Sequence, residues 1–447
     1  MPNFEPPAGL LAPFDFTIDR AWTAREATHL LGRSQFGYTP AELELATQRG
    51  PAETIERLLN AQPEPVEFQQ AELALRKTAL ATGEITDLKI WWLYRMWASA
   101  NPLAEKMSLL WHNHFATSFD KVRSVIQMLN QNELIREHAL GHFQQLLHGM
   151  SRDTAMLVWL DGNANRKRHP NENFAREIME LFALGVGNYT EKDIQEAARA
   201  FSGWHVREGA FWFNQSQHDE TEKTVFGKVG NFDGAAIVDL CLAQPACPKF
   251  LAMKLLKTFV CSEPKQELIE AVATRIRLHD FVMLPVLREL FSSQVFYDGA
   301  NCRSLIKSPL DLVVGSLRAL AAAVKWPSIA KLLASLGQDV FEPPSVKGWE
   351  GGRLWINSSS ILVRTNFATE LASTEQLASL RISVTEGAGE TSDSVVARLE
   401  RLLMGGSFEG ELHASLIALN QLAEGNSLQK LRATIQLILS LPEYQLY

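Results

Sequence analysis

The sequence has four cysteines in 447 residues, Cys241, Cys247, Cys261 and Cys302, and none stands in CxxC spacing. That excludes a disulfide-stapled scaffold and a cysteine-rich zinc module. They read as reduced core thiols, with a Cys241–Cys247 bridge as the minor alternative. No stretch approaches the length of a membrane span. Residues 1–22 lack a basic start followed by an apolar core, so they do not read as a secretory signal, and a cytoplasmic location is expected. The longest basic run, Arg166-Lys167-Arg168-His169, is too short for a polyanion track. A net charge of -8 gives no reason to expect nucleic acid as a partner. There is no dinucleotide fingerprint and no alternating βα pattern. Gly348-Trp349-Glu350-Gly351-Gly352 lacks the Lys-Ser/Thr of a phosphate loop, and Ser358-Ser359-Ser360 lacks a GxSxG context. His138 and His142 share a helical face at i, i+4, but no HExxH pattern surrounds them, so they read as structural.

What is present describes an ordinary globular chain, 46% hydrophobic and 21% charged. Short helical patterns follow one another, punctuated by Gly and Pro. Thr39-Pro40 opens one helix, and Thr190 with Asp193 forms a capping box for another. The pattern predicts an all-α protein with one large domain of about 15 to 20 helices. Residues 1–20 read as an extended N-terminal arm and 21–340 as the main helical domain. Trp204-His205-Val206 and Ala210-Phe211-Trp212-Phe213 flank Arg-Glu-Gly, which predicts a small β-hairpin insertion at about 204–234. Residues 341–447 read as a Gly/Pro/Trp-rich loop and C-terminal helices packed on the main domain. Trp91, Trp92, Tyr94 and Trp97 share one amphipathic helix and read as core.

The stretch from Pro170 to Trp204 organises the polar residues. Its first helix is predicted from about Glu172 to Leu184, apolar over most of its girth. Asn173, Glu177 and Glu180 stack on one narrow stripe with Arg176 beside them. Charged groups on a mostly buried helix need partners. The candidates are His112 and His114, flanking Asn113, together with His218, Asp219 and Lys223. In a continuous helix the two imidazoles of the HxH pair lie about 200° apart.

Several of these motifs resemble a bacterial family, the "domain of unknown function 1800" family. They are Leu110-Trp111-His112-Asn113-His114-Phe115, the run from Asn171 to Leu181, and Gly187-Asn188-Tyr189-Thr190-Glu191. Further on come Ala198-Arg199-Ala200-Phe201-Ser202-Gly203-Trp204, His218-Asp219 with Lys223, Pro343-Pro344-x-Val346-Lys347-Gly348-Trp349 and Trp355-Ile356-Asn357. The resemblance covers about residues 22 to 440 and supplies no reaction. It implies a partner, because such proteins are often encoded beside the domain of unknown function 1501 family, which resembles alkaline-phosphatase-type enzymes. Many members carry export signals, and many have a His where this chain has Phe182.

Three readings of the polar set stay open. In the first, His112, His114, Glu177 and Glu180, with His218 or Asp219, bind a divalent metal: zinc, iron or manganese. In the second, an enzyme acts without metal on a polar or anionic substrate. Arg176 clamps a carboxylate or phosphate, Asn173 and Lys223 contribute to binding, His112 or His218 moves a proton and Glu177 orients the imidazole, with His114 and Asp219 completing the catalytic set. In the third, the residues form a structural network. Arg176 then pairs with Glu172 and Glu180, Asn173 caps a turn, and His218-Asp219 ties down the hairpin. The protein is then a scaffold or partner subunit with its interface at the loop from Lys347 to Trp355.

Overall fold

The computed structural model describes residues 9–17, 20–322, 325–373, 391–406 and 410–447. Residues 1–8 and 18–19 of the expected arm lie outside the described residues. Its described part packs Phe14 and Phe16 against Tyr297, with ring centroids 5.3 and 5.0 Å apart.

The described residues form 22 α-helices and two small two-stranded antiparallel sheets. This is the expected all-α chain with a hairpin insertion. The helices in excess of expectation are short ones such as Phe119–Val122 and Gln294–Tyr297, which cannot display a 3.6-residue period. Helix starts follow their caps: Thr39, Thr190 and Ser308 each complete a capping box with the residue three places on. Trp204–Arg207 pairs with Ala210–Phe213 in the anticipated hairpin. A second hairpin, Lys223–Val225 with Lys228–Gly230, was not anticipated, because only Val225 of its residues carries an apolar side chain into the core.

Two apolar cores meet along the helix Pro102–His114. Trp111 and Phe115 enter the first, with Phe143, Phe182 and Phe201. Leu109 enters the second, with Trp91, Trp92, Val313, Phe341 and Ile435. Glu105 on the same helix is 1% exposed and accepts from Trp92 Nε1, Arg95 and Arg136. Burial works against its charge, yet the two guanidiniums hold its pKa below the ordinary value. Such a buried carboxylate persists only because every lone pair is used.

Two sequence expectations change. The helix Val125–His138 stops at His138, and His142 is the cap of the next helix, Phe143–Arg152, so the two histidines share no face. The predicted helix from Glu172 to Leu184 is α-helical only over Glu172–Glu177, then a π-helix over Ile178–Leu184. All four cysteines are unpaired. Among the described residues no single helix is long and apolar enough to cross a membrane. The bent pair Gly234–Leu242 and Ala246–Phe259 has the length and composition, but its Ile237, Val238, Leu251 and Leu255 are core residues.

Candidate functional site

Three consecutive side chains at the end of Pro102–His114 each grip a different piece of backbone. His112 Nε2 accepts the Phe341 backbone N–H at 3.3 Å. A backbone N–H can only donate, so this nitrogen is the bare one of the imidazole. Asn113 accepts from the Trp349 N–H at 2.6 Å and donates to the Trp349 carbonyl at 3.1 Å. His114 Nε2 donates to the Phe182 carbonyl at 2.9 Å. Its Nδ1 is buried with no partner. The two histidines therefore hold opposite tautomers. Burial among aromatic rings lowers both pKa values to about 3, with Lys254 adding to the effect at His114. The strand-like grip of Asn113 leaves no room for a side chain at Gly348, whose φ is 77° and whose Cβ would strike the amide.

The clamp draws the 341–349 loop over the central helix and brings Lys347 within electrostatic reach of Glu177. Glu177 is half-buried, and burial together with Glu180 raises its pKa. Glu180 accepts from the Tyr189 hydroxyl. Arg176 does not pair with Glu180 as the structural reading expected. It makes a two-pronged bond to Glu191 at 2.8 and 2.7 Å, with Glu172 at 3.6 Å. The cap is Asn171, which accepts from the Asn173 N–H at 3.0 Å, while Asn173 itself is exposed.

His218, Asp219 and Lys223 stand elsewhere. His218 Nδ1 donates to the Ser202 carbonyl at 2.8 Å. Asp219 takes Arg199 Nε at 2.8 Å. Burial opposes its charge, but the bonds from Arg199 and Thr221 hold its pKa below the carboxylate range. Lys223 is 1% exposed and donates to the Asp219 and Thr221 carbonyls at 2.6 and 2.9 Å. Glu191 and Arg199 lie on one helix, Glu191–Ala200, and eight residues of α-helix separate them by about 12 Å. The Arg176 cluster and the Asp219 cluster therefore sit at opposite ends of that helix, not in one pocket. Among the described residues no three His, Cys, Asp or Glu side chains gather as metal ligands. His112, His114, Glu177 and Glu180 make no such group, and both Nε2 atoms are bonded to backbone.

A cavity of about 400 Å3 opens on another side, between the helix Ala24–Ser34, the 302–311 segment and the 444–447 tail. The tail pairs antiparallel with 305–307: Lys307 N–H donates to Gln445 O at 2.8 Å and Tyr447 N–H to Leu305 O at 3.0 Å. Gly37, at φ 64°, lets the chain pass against the Gly315 backbone at the cavity edge, where a Cβ would collide. Both acids of the wall are committed: Glu26 to Arg20 at 2.9 Å, and Asp311 to Lys106 and the Ser308 hydroxyl. Arg25, Arg303 and Lys307 also line it. Arg303 donates to the Met404 carbonyl at 2.5 Å, and Lys307 Nζ lies 3.6 Å from the centre of the Tyr444 ring. Burial, helped by Arg303 and Arg364 and resisted by Asp311, lowers the Lys307 pKa to about 7. Behind the wall, Arg33 is 0% exposed, with Nε and Nη1 lacking partners.

A family model described as "Protein of unknown function (DUF1800)" matches residues 29–446. The chain belongs to that family. No curated protein and no solved structure matches it. Within the matched span fall the whole clamp, Arg303, Lys307 and the tail as far as Leu446, whereas Arg25 precedes it.

Sequence reasoning missed Asn113, although it stood between two histidines already singled out. An amide there has the donor and acceptor needed to mimic a strand neighbour. It also missed the cavity. Its wall is assembled from positions near 25, 305 and 445, and no periodicity connects them. The one local signal was Lys307 placed directly before the Ser308-Pro309-x-Asp311 helix start, a cation at the end of a helix that disfavours it.

Proposed function

We propose that this chain binds a small organic anion, a carboxylate or a phosphate ester, in the cavity between Ala24–Ser34 and 302–311. One observation carries the reading. Arg25, Arg303 and Lys307 line a space of ligand size, and the two carboxylates of its wall pair with Arg20 and Lys106. Small-ligand sites are concave, mostly apolar and furnished with a few placed polar groups. Here Tyr38, Tyr444 and Tyr447 supply the aromatic walls. The anionic-substrate reading of the sequence is thereby kept and moved. Arg176 is bound to Glu191, and the motif histidines serve the backbone.

The test is calorimetric titration with inorganic phosphate and with a dicarboxylate such as succinate. Binding that weakens at least about tenfold in Arg303→Ala supports the reading. No saturable binding of either anion by the wild type sinks it.

A second reading, a protein partner, is favoured by a separate observation. Leu354, Ile361 and Leu362 are 63%, 50% and 62% exposed beside the Trp-rich loop. Large apolar side chains left exposed close together in the chain are a usual mark of a contact surface. Leu354→Glu with Leu362→Glu should abolish co-purification with a family 1501 protein, if that protein is the partner, and leave anion binding intact.

A further inference from the structure

Lys307 lines the cavity with its Nζ set over the Tyr444 ring, 3.6 Å from the ring centre. Its neighbour Asp311 is consumed by Lys106 and Ser308. Its backbone is pinned on both sides, by the antiparallel pairing with Gln445 and by Arg364, which donates to its carbonyl at 3.0 Å. The charged groups that reach it are Asp311 from the helix Pro309–Ala319, Arg303 from its own segment and Arg364 from the helix Ser358–Ser373. Two guanidiniums against one spent carboxylate favour the neutral amine. Burial acts in the same direction, and the Tyr444 ring face tempers both. A fixed, partly dehydrated amine beside cations is how a lysine becomes a nucleophile near neutral pH.

We infer that Lys307 Nζ condenses with the carbonyl carbon of a small 2-oxo acid held in the cavity. This rests on the anion-binding reading and names its substrate class. The carboxylate of the oxo acid meets the cations at Arg303 and Arg25, and its adjacent carbonyl faces the amine. The nitrogen lone pair forms the C–N bond as the C=O π pair moves to oxygen. That oxygen takes a proton, the nitrogen loses one, and a carbinolamine results. Loss of the hydroxyl as water leaves the imine, with no oxidant or reductant required. A thiol at Cys302 and hydroxyls at Tyr38 and Thr28 also line the space, but the amine alone forms a stable double bond to carbon.

The test is pyruvate with sodium cyanoborohydride on the full chain, followed by peptide mapping. The expected result is a reduced pyruvyl adduct on Lys307 at least about tenfold above exposed lysines such as Lys257 and Lys228 at pH 7. Its labelling rate should level off above neutral pH while theirs keeps rising. Inorganic phosphate should protect Lys307 and leave the others unprotected. If the wild type binds phosphate but Lys307 is labelled no faster than Lys257, the imine inference is overturned and the anion site stands. If neither phosphate nor pyruvate binds, both readings fall.

Discussion

The clamp at 112–114 and the cavity at 302–311 are both polar places built into apolar surroundings, and they use their polarity in opposite ways. At the clamp, His112 Nε2, Asn113 and His114 Nε2 bond the backbone of Phe341, Trp349 and Phe182, and His114 Nδ1 is buried without a partner. Around the cavity the two acids pair with Arg20 and Lys106, and Arg25, Arg303 and Lys307 line the space. A group that holds its own chain in register has little left for a ligand. Surplus charge of one sign, beside a space of ligand size, is what a ligand can satisfy. Density of polar motif in the sequence therefore marks where distant segments must be locked together, and says little about where a ligand sits.

The comparison is broken most severely by acid. His112 and His114 have folded pKa values of about 3 against about 6.5 unfolded. Both are depressed, so their contribution is complete above the unfolded value and is lost as pH falls from about 6.5 toward 3. The loss is on the order of 4 kcal/mol for each ring at the limit. Urea midpoints at pH 7 and 4.5 should show a steep fall, and His112→Gln should make it shallower. Equal slopes in both proteins would mean that the imidazole is not held neutral.

Next comes Asn113→Ala, which strands the N–H and C=O of Trp349. The expected destabilisation is about 2–4 kcal/mol, with altered Trp fluorescence. Native stability in that variant would dissolve the clamp.

On the cavity side, Lys307→Met should cost no stability and cut phosphate affinity at least about tenfold, or roughly 1.4 kcal/mol. Its folded pKa is lowered, so the penalty of burying the ammonium is complete below about pH 7 and is relieved as pH rises toward the unfolded value. Stability of the wild type should gain on the variant over that window, while phosphate binding weakens as the amine loses its proton. Melting curves and titrations at pH 6.5 and 8.5 check both signs.

The smallest effect belongs to Arg176→Ala. Its partners Glu191 and Glu172 are on the surface, at 68% and 44% side-chain exposure, where ion pairs contribute little. The melting temperature should not move measurably.

Much of the fold was legible in residues. Thr39-Pro40 and Thr190-Asp193 announced helix starts through side chains that satisfy orphaned N–H groups. The hairpin at Trp204–Phe213 was legible from aromatic residues flanking a Gly-containing turn. The π-helical turn at Ile178–Leu184 was not. A shift from i+4 to i+5 bonding leaves the apolar pattern almost unchanged over two turns. The candidate metal set was illegible for a different reason. Spacing lists donors, but it cannot say whether they converge, and among the described residues no three of them do. The cavity was illegible because its charges come from three distant parts of the chain. What identifies it is that Asp311 and Glu26 are occupied, which only tertiary contacts reveal.

The most direct test sets the two regions against each other in one titration. Inorganic phosphate is added calorimetrically to the wild type, to Lys307→Met and to Arg176→Ala under identical conditions. The account predicts saturable binding in the wild type, the same binding in Arg176→Ala and a loss of about tenfold or more in Lys307→Met. Binding that survives in Lys307→Met and disappears in Arg176→Ala would return the ligand to the central helix and contradict the account.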